Sequence, residues 1–180
     1  MYKVDVEIKG ITPLLMHRFL EDEPKPEKRG ENIENEEIAE QRLYKNDKGE
    51  IIVPNEWIIR AMFKVASDFK VEGMRKKTMK SLLPGNIYIE PEAIKIDPQE
   101  WVIDKRTVVI PSTRGRVMRF RPKFENWKLS FKVLVMDDRI KPEILHHILE
   151  EAGRRSGIGD GRSIGFGRFI VSKFGEPEIQ

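Results

Sequence analysis

The sequence predicts an α+β fold, and three observations predict it. Strand-like alternation marks "YKVDVEIKGI" and "WKLSFKVLVM". Helical periodicity marks "PNEWIIRAMFKVASDF" and the stretch after Pro142. The segments follow one another as β-α-β-β-α-β, an order that favours an antiparallel, split βαβ sheet with both helices on one face. The expected architecture is therefore ferredoxin-like (RRM-like), with all 180 residues in one domain.

Each element has its own warrant. The first strand puts Tyr2, Val4, Val6 and Ile8 on one side and Lys3, Asp5, Glu7 and Lys9 on the other, and Pro13 ends it. The charged segment 21–36 reads as a loop. "NEEIAEQRLY" adds a short helix and "GEIIVP" a short strand. Asn55 is placed to cap the first long helix, whose stripe is Trp57, Ile58, Ala61, Met62, Val65 and Phe69. "NIYIEPEAIKI" reads as one strand with a proline-marked irregularity. In the next strand Leu129, Phe131, Val133 and Val135 point inward. Pro142 suits the first turn of a second helix with the stripe Ile144, Leu145, Ile148, Leu149 and Ala152. "RFIVSKF" is the last strand. Two insertions interrupt this order, about 12–53 and 98–124.

Composition narrows the function classes. No run of some eighteen apolar residues is present, so no membrane-spanning helix is expected. The alternating N-terminus resembles neither a signal nor a transit peptide. With no cysteine there are no disulfides or thiolate metal sites, and a cytoplasmic location is the default expectation. A 35% charged content with few Gln and Asn leans toward a thermophilic source. Residues 21–40 hold nine acidic and three basic residues, a net −6, so the rest of the +3 chain carries +9. That single-sign field suits a polyanionic partner.

The densest motif is "GIGDGRSIGFGRF", with Gly157, Gly159, Gly161, Gly165 and Gly167 in eleven positions. Glycine permits positive φ and close backbone approach, and free N–H groups can cradle phosphate beside Arg162 and Arg168. The competing reading is a turn that packs a helix tightly against the last strand.

The spacing GxGxxxxxGxG, from Gly157 to Gly167 between the second helix and fourth strand, resembles the signature of the RAMP superfamily of CRISPR-associated proteins. The resemblance implies that residues 157–168 lie against bound RNA. Repeat-processing endoribonucleases of that superfamily usually have two such modules, whereas its backbone subunits have one, enlarged by insertions, and stack along a guide RNA. One module with two insertions is similar to the backbone branch.

The second insertion points the same way. From Lys105 to Lys123 there are seven basic residues and no acidic one: Lys105, Arg106, Arg114, Arg116, Arg119, Arg121 and Lys123. Arginines of both parities suit a projecting hairpin with its turn near 112–115. Met118, Phe120, Phe124 and Trp127 offer apolar surface for bases. By resemblance this is a thumb-like hairpin that kinks RNA. The alternative is a solvated basic hairpin. Arg75, Lys76, Lys77 and Lys80 form a third basic cluster, equally explained by a favourable helix end.

Catalysis has thin support. His146 and His147 read as solvated, which leaves His17, beside Arg18, as the candidate general base, with Tyr44 or a lysine assisting. Some backbone subunits cut target RNA through an aspartate after the first strand; Asp22 occupies that loop in no recognisable motif. No metal site and no cofactor are expected. The reading is a non-catalytic subunit holding single-stranded RNA, homo-oligomeric or filamentous on nucleic acid, with other ribonucleoprotein subunits as further candidate partners. The rivals are a metal-independent endoribonuclease using His17 and a viral or mobile-element single-stranded DNA-binding protein.

Overall fold

Alternation in the first ten residues sets the register of the main sheet. The computed structural model describes residues 1–22 and 35–180. Its elements run β1 (Tyr2–Gly10), β2 (Leu14–Leu15), α1 (Glu36–Gln41), β3 (Ile52–Pro54), α2 (Asn55–Val65) and α3 (Met79–Leu82). Next come β4 (Ile87–Glu90), β5 (Ala93–Lys95), β6 (Val102–Val109), β7 (Arg116–Phe124) and β8 (Lys128–Val135). The chain closes with α4 (Pro142–Glu151), β9 (Phe169–Phe174) and β10 (Glu178–Ile179). The fold is mixed α+β with antiparallel sheets.

In the main sheet the strand order is β4-β8-β1-β9, every neighbour antiparallel, with β10 pairing β1 as well. Val4, Val6 and Ile8 face Val133, Phe131 and Leu129 across the β1–β8 ladder and are buried. The outward positions carry charge instead, and Asp5 pairs with Lys132 at 3.6 Å. One face of the sheet thus meets the core and the other meets water.

Both long helices bury their stripes in that core. Ile58, Ala61, Met62 and Val65 of α2, with Leu145, Ile148 and Leu149 of α4, join the inward residues of β1 and β8 in one apolar cluster. Each of these side chains other than Ala61 is worth about 1.5–3 kcal/mol on burial, so packing rather than intrinsic propensity holds these short helices. Pro142 opens α4, where its missing N–H costs nothing. Asn55 does not cap α2. It is the first residue of the helix, and its amide donates to the Ile89 carbonyl at 2.7 Å, which ties α2 to β4. The expected single strand over 86–96 is two strands. β4 pairs with β8, while beyond Pro91 the chain leaves that sheet and β5 pairs with β3.

The first insertion contributes β2, α1 and β3; Asn35 caps α1 by accepting from the Ile38 N–H at 3.1 Å. Most of the acidic segment, residues 23–34, lies outside the described residues. The second insertion forms the β6–β7 hairpin, whose base joins β2 in a three-stranded sheet. Among the described residues no helix is long and apolar enough to cross a membrane.

Candidate nucleic-acid interface

What the glycine segment approaches so closely is, first, its own chain. All five glycines have positive φ, between 67° and 97°. The Ile158 N–H donates to the Gly167 carbonyl at 3.0 Å, the Gly167 N–H to Pro13 at 2.8 Å, and the Asp160 N–H to Leu15 at 2.9 Å. A Cβ on Gly167 would lie 1.8 Å from the Ile158 carbonyl oxygen, and one on Gly159 would lie 2.6 Å from that of Leu15. These glycines lock the loop onto β2. Gly165 differs, because nothing lies within 4 Å of the Cβ it lacks and its surroundings are open.

The hairpin docks on this loop through its base. Arg121 is buried and donates to Asp160 at 2.7 Å and to Asp104 at 3.3 Å. Arg106 grips Asp104 bidentately at 2.6 and 2.8 Å and stacks over the Phe166 ring, 4.6 Å from its centroid. Burial works to raise both carboxyls, but the guanidiniums win. Arg106 and Arg121 hold Asp104, and Arg121, the Gly161 N–H and His17 hold Asp160, below the ordinary aspartate value of 3.8. Two segments far apart in sequence therefore make one surface.

The structure redistributes the residues singled out in the hairpin. Phe120, Phe124 and Trp127 are buried, so they are not stacking platforms. Phe124 and Trp127 belong to the core, the Trp127 indole donates to the Thr12 carbonyl at 2.9 Å, and Lys105 covers Phe120. Arg121 is likewise internal, out of reach of a strand running over the surface. Lys123 pairs with Glu125 at 2.7 Å. Arg114 and Arg116 stand exposed at the tip, around a turn closed by the Ile110 N–H donating to Gly115 at 2.9 Å, and Arg119 is half-buried below them.

Arg162 and Arg168 sit in a cleft beside the glycine segment. Lys64 and two serines, Ser156 and Ser163, line the same cleft, and sequence reasoning missed all three. A lysine in the last turn of a helix has an ordinary explanation in the helix dipole, so Lys64 carries no signal alone. Asp160, also missed, was marked only as the sole acid within the glycine motif. Arg75, Lys76, Lys77 and Lys80 are exposed around the start of α3 and line no part of that cleft.

His17 is half-buried, with Nδ1 4.0 Å from the Asp160 carboxylate. Burial pushes the Tyr44 phenol up; Arg18 opposes this, and Glu56 and Asp160 add to it. Tyr44 packs edge-on against Trp57 at 5.2 Å. His146 is more than a solvated residue, since its ring stacks on Phe174 at 4.6 Å. Among the described residues no cluster of three His, Asp or Glu side chains is placed to hold a metal ion.

No protein-family profile and no curated protein matches the sequence. The structure, however, is similar to a chain in the cryo-EM structure of the Type III-B Cmr-beta bound to cognate target RNA, with a TM-score of 0.61 and 16% identity. The similarity covers 98% of this chain and 60% of that one, so this chain spans less than two thirds of its neighbour's length. At that identity the likeness is one of fold.

Proposed function

We propose that this chain is an RNA-binding subunit of a CRISPR-type or related ribonucleoprotein, a single RAMP-like module that holds single-stranded RNA without cutting it. The antiparallel order β4-β8-β1-β9, with α2 and α4 on one side, supports the ferredoxin-like reading. A structural neighbour taken from an RNA-bound assembly supports the partner. The observation that carries the proposal is the docking of the basic hairpin on the glycine segment through Arg121–Asp160 and Arg106–Phe166. It turns two basic elements into one face, with Arg114 and Arg116 at the tip and Arg162 and Arg168 at the loop. The acidic 21–40 segment complements that face and suits contact with a neighbouring copy on the same strand.

The test is salt-dependent binding to single-stranded RNA and to DNA of the same sequence. Each phosphate contact contributes about 0.7 to the slope of log affinity against log salt for a single strand. Changing Arg114, Arg116 and Arg119 together to Ala is expected to reduce that slope by about 2 and weaken all sequences alike. Unchanged binding removes the thumb assignment, and a preference for DNA favours the rival binding protein.

One observation favours a second reading. The Asp160 carboxylate beside His17 Nδ1 is the kind of neighbour that orients a general base, as a metal-independent endoribonuclease requires, although at 4.0 Å it lies beyond hydrogen-bond reach. RNA left intact by the purified protein supports the non-catalytic proposal. Cleavage that disappears in His17→Ala replaces it.

A further inference from the structure

The cleft beside the glycine segment holds more positive charge than the protein balances. It has a volume of about 490 Å³, and Lys64, Arg162, Arg168, Ser156 and Ser163 line it. Two other charged groups on its lining are already committed. Asp160 is held by Arg121 at 2.7 Å, and Arg155 is paired with Asp68 and lies 3.7 Å from Glu151. Among the described residues no carboxylate lies within 4.0 Å of the charged ends of Lys64, Arg162 or Arg168. That leaves three cations around one space.

The hydrogen bonding is incomplete in the same place. Arg168 donates through Nη2 to the Arg162 carbonyl at 3.3 Å, but its Nη1 is buried without an acceptor. A buried donor left unmade costs about 1–3 kcal/mol, and native proteins rarely carry one without a reason. The cations also repel: burial, and then Arg162 and Arg168, hold the Lys64 amine below its ordinary value. An anion with several acceptor oxygens relieves the repulsion and offers acceptors to the Arg168 guanidinium, which lines the cleft. A tetrahedral phosphate offers oxygens on several sides, which suits donors supplied by α2 (Lys64) and by the glycine segment (Arg162 and Arg168), with the serine hydroxyls on the same lining. A planar carboxylate presents only two oxygens.

We propose that this cleft is a phosphate-binding site in which Lys64, Arg162 and Arg168 take one phosphate group of a bound strand. The proposal rests on the nucleic-acid reading for the source of that phosphate, and it brings Lys64 of α2 into the interface. The group is either an internal diester or a terminal monoester. Three cations suit either one, since the monoester carries up to two charges.

The experiment compares the wild type with Lys64→Met, which keeps the stem without the charge. Lys173→Met, on β9 and outside the cleft, is the control. Thermal unfolding is followed with inorganic phosphate against chloride at equal ionic strength, and binding to unphosphorylated RNA is followed across salt concentrations. Phosphate is expected to raise the Tm of wild type and Lys173→Met, because a ligand bound only by the native state stabilises it. Lys64→Met is expected to lose that rise and, where an internal phosphate fills the cleft, to bind the unphosphorylated RNA about tenfold more weakly with a salt slope smaller by about 0.7. Loss of either response in Lys64→Met alone supports the site. Retention of both, or absence of both in the wild type, overturns it. Phosphate stabilisation through Lys64 without RNA binding keeps the site and removes the nucleic-acid reading. RNA binding that ignores Lys64, with no phosphate stabilisation, does the reverse. RNAs with a 5′-phosphate, a 3′-phosphate or neither then identify the source. A tenfold gain from one end that vanishes in Lys64→Met assigns a terminal phosphate, and equal affinities assign an internal one.

Discussion

The base and the tip of the β6–β7 hairpin use the same residue type for opposite ends. At the base Arg121 is buried between Asp104 and Asp160, and Phe120 and Phe124 are shielded with it. At the tip Arg114 and Arg116 stand in water, and among the described residues no carboxylate lies within 4.0 Å of either. The glycine segment shows the same division, with Gly159 and Gly167 pressed on backbone and Gly165 facing open space. Residue type alone therefore does not mark a contact surface. What distinguishes the tip arginines and Gly165 is the absence of a close internal contact, which leaves them available to a partner.

The largest expected effect is at Gly167. A Cβ there meets the Ile158 carbonyl at 1.8 Å, and the residue also holds φ near 73°. The loop cannot keep its seat on Pro13 and Leu15, so Gly167→Ala is expected to cost at least about 3 kcal/mol. Urea unfolding measures it, and a midpoint near that of the wild type would mean that the GxG pairs are not locked together.

Arg121→Ala comes next. Removing one partner of a buried ion pair costs about 3–5 kcal/mol when the other charge stays buried. Here Arg106 still holds Asp104, and Asp160 is partly exposed, so the lower end, about 3 kcal/mol, is expected. Arg114→Ala is expected to change stability by no more than about 0.5 kcal/mol. Equal costs for the two substitutions would erase the distinction between base and tip.

Gly165→Ala should be milder than Gly167→Ala. Its only penalty is the left-handed backbone, φ near 97°, of about 1–2 kcal/mol. The variant is expected to fold, as read by circular dichroism, and to bind RNA more weakly where a strand runs over the open side of the loop. Full affinity would move the strand away from this residue.

These contrasts also explain what was legible in the sequence. The order of strands and helices could be read because alternation in β1 and β8 and the stripes of α2 and α4 are local patterns. The hairpin and its turn were legible from a local pattern of the opposite kind, arginines on both parities of a segment that therefore does not lie flat on a core. Arg121 was misplaced because Asp160, the carboxylate that takes it inside, is 39 residues away. No local period records such a contact. Phe124 and Trp127 were misassigned likewise, since β2 and Thr12 cover them from the far end of the chain. The cleft proposed for phosphate needed α2 and the glycine segment side by side, and Lys64 says nothing until Arg162 and Arg168 share its lining.

The smallest effect separates base from tip by pH. Asp104 and Asp160 have their carboxyls held below the ordinary value of 3.8 in the folded protein, by Arg106 and Arg121 acting against burial. A carboxyl with a depressed folded value binds protons more readily when unfolded, so its contribution is complete above about 3.8 and is lost as pH falls through the folded value. Stability measured between pH 5 and pH 2 should therefore drop in its acid limb, and the drop should be shallower in Arg121→Ala, where part of the depression is gone. Arg114→Ala has no carboxylate to release, so its acid limb should overlay that of the wild type. A shallower limb in Arg114→Ala would mean that the tip, too, is held by an internal carboxylate, and the tip arginines would then be unavailable to phosphate.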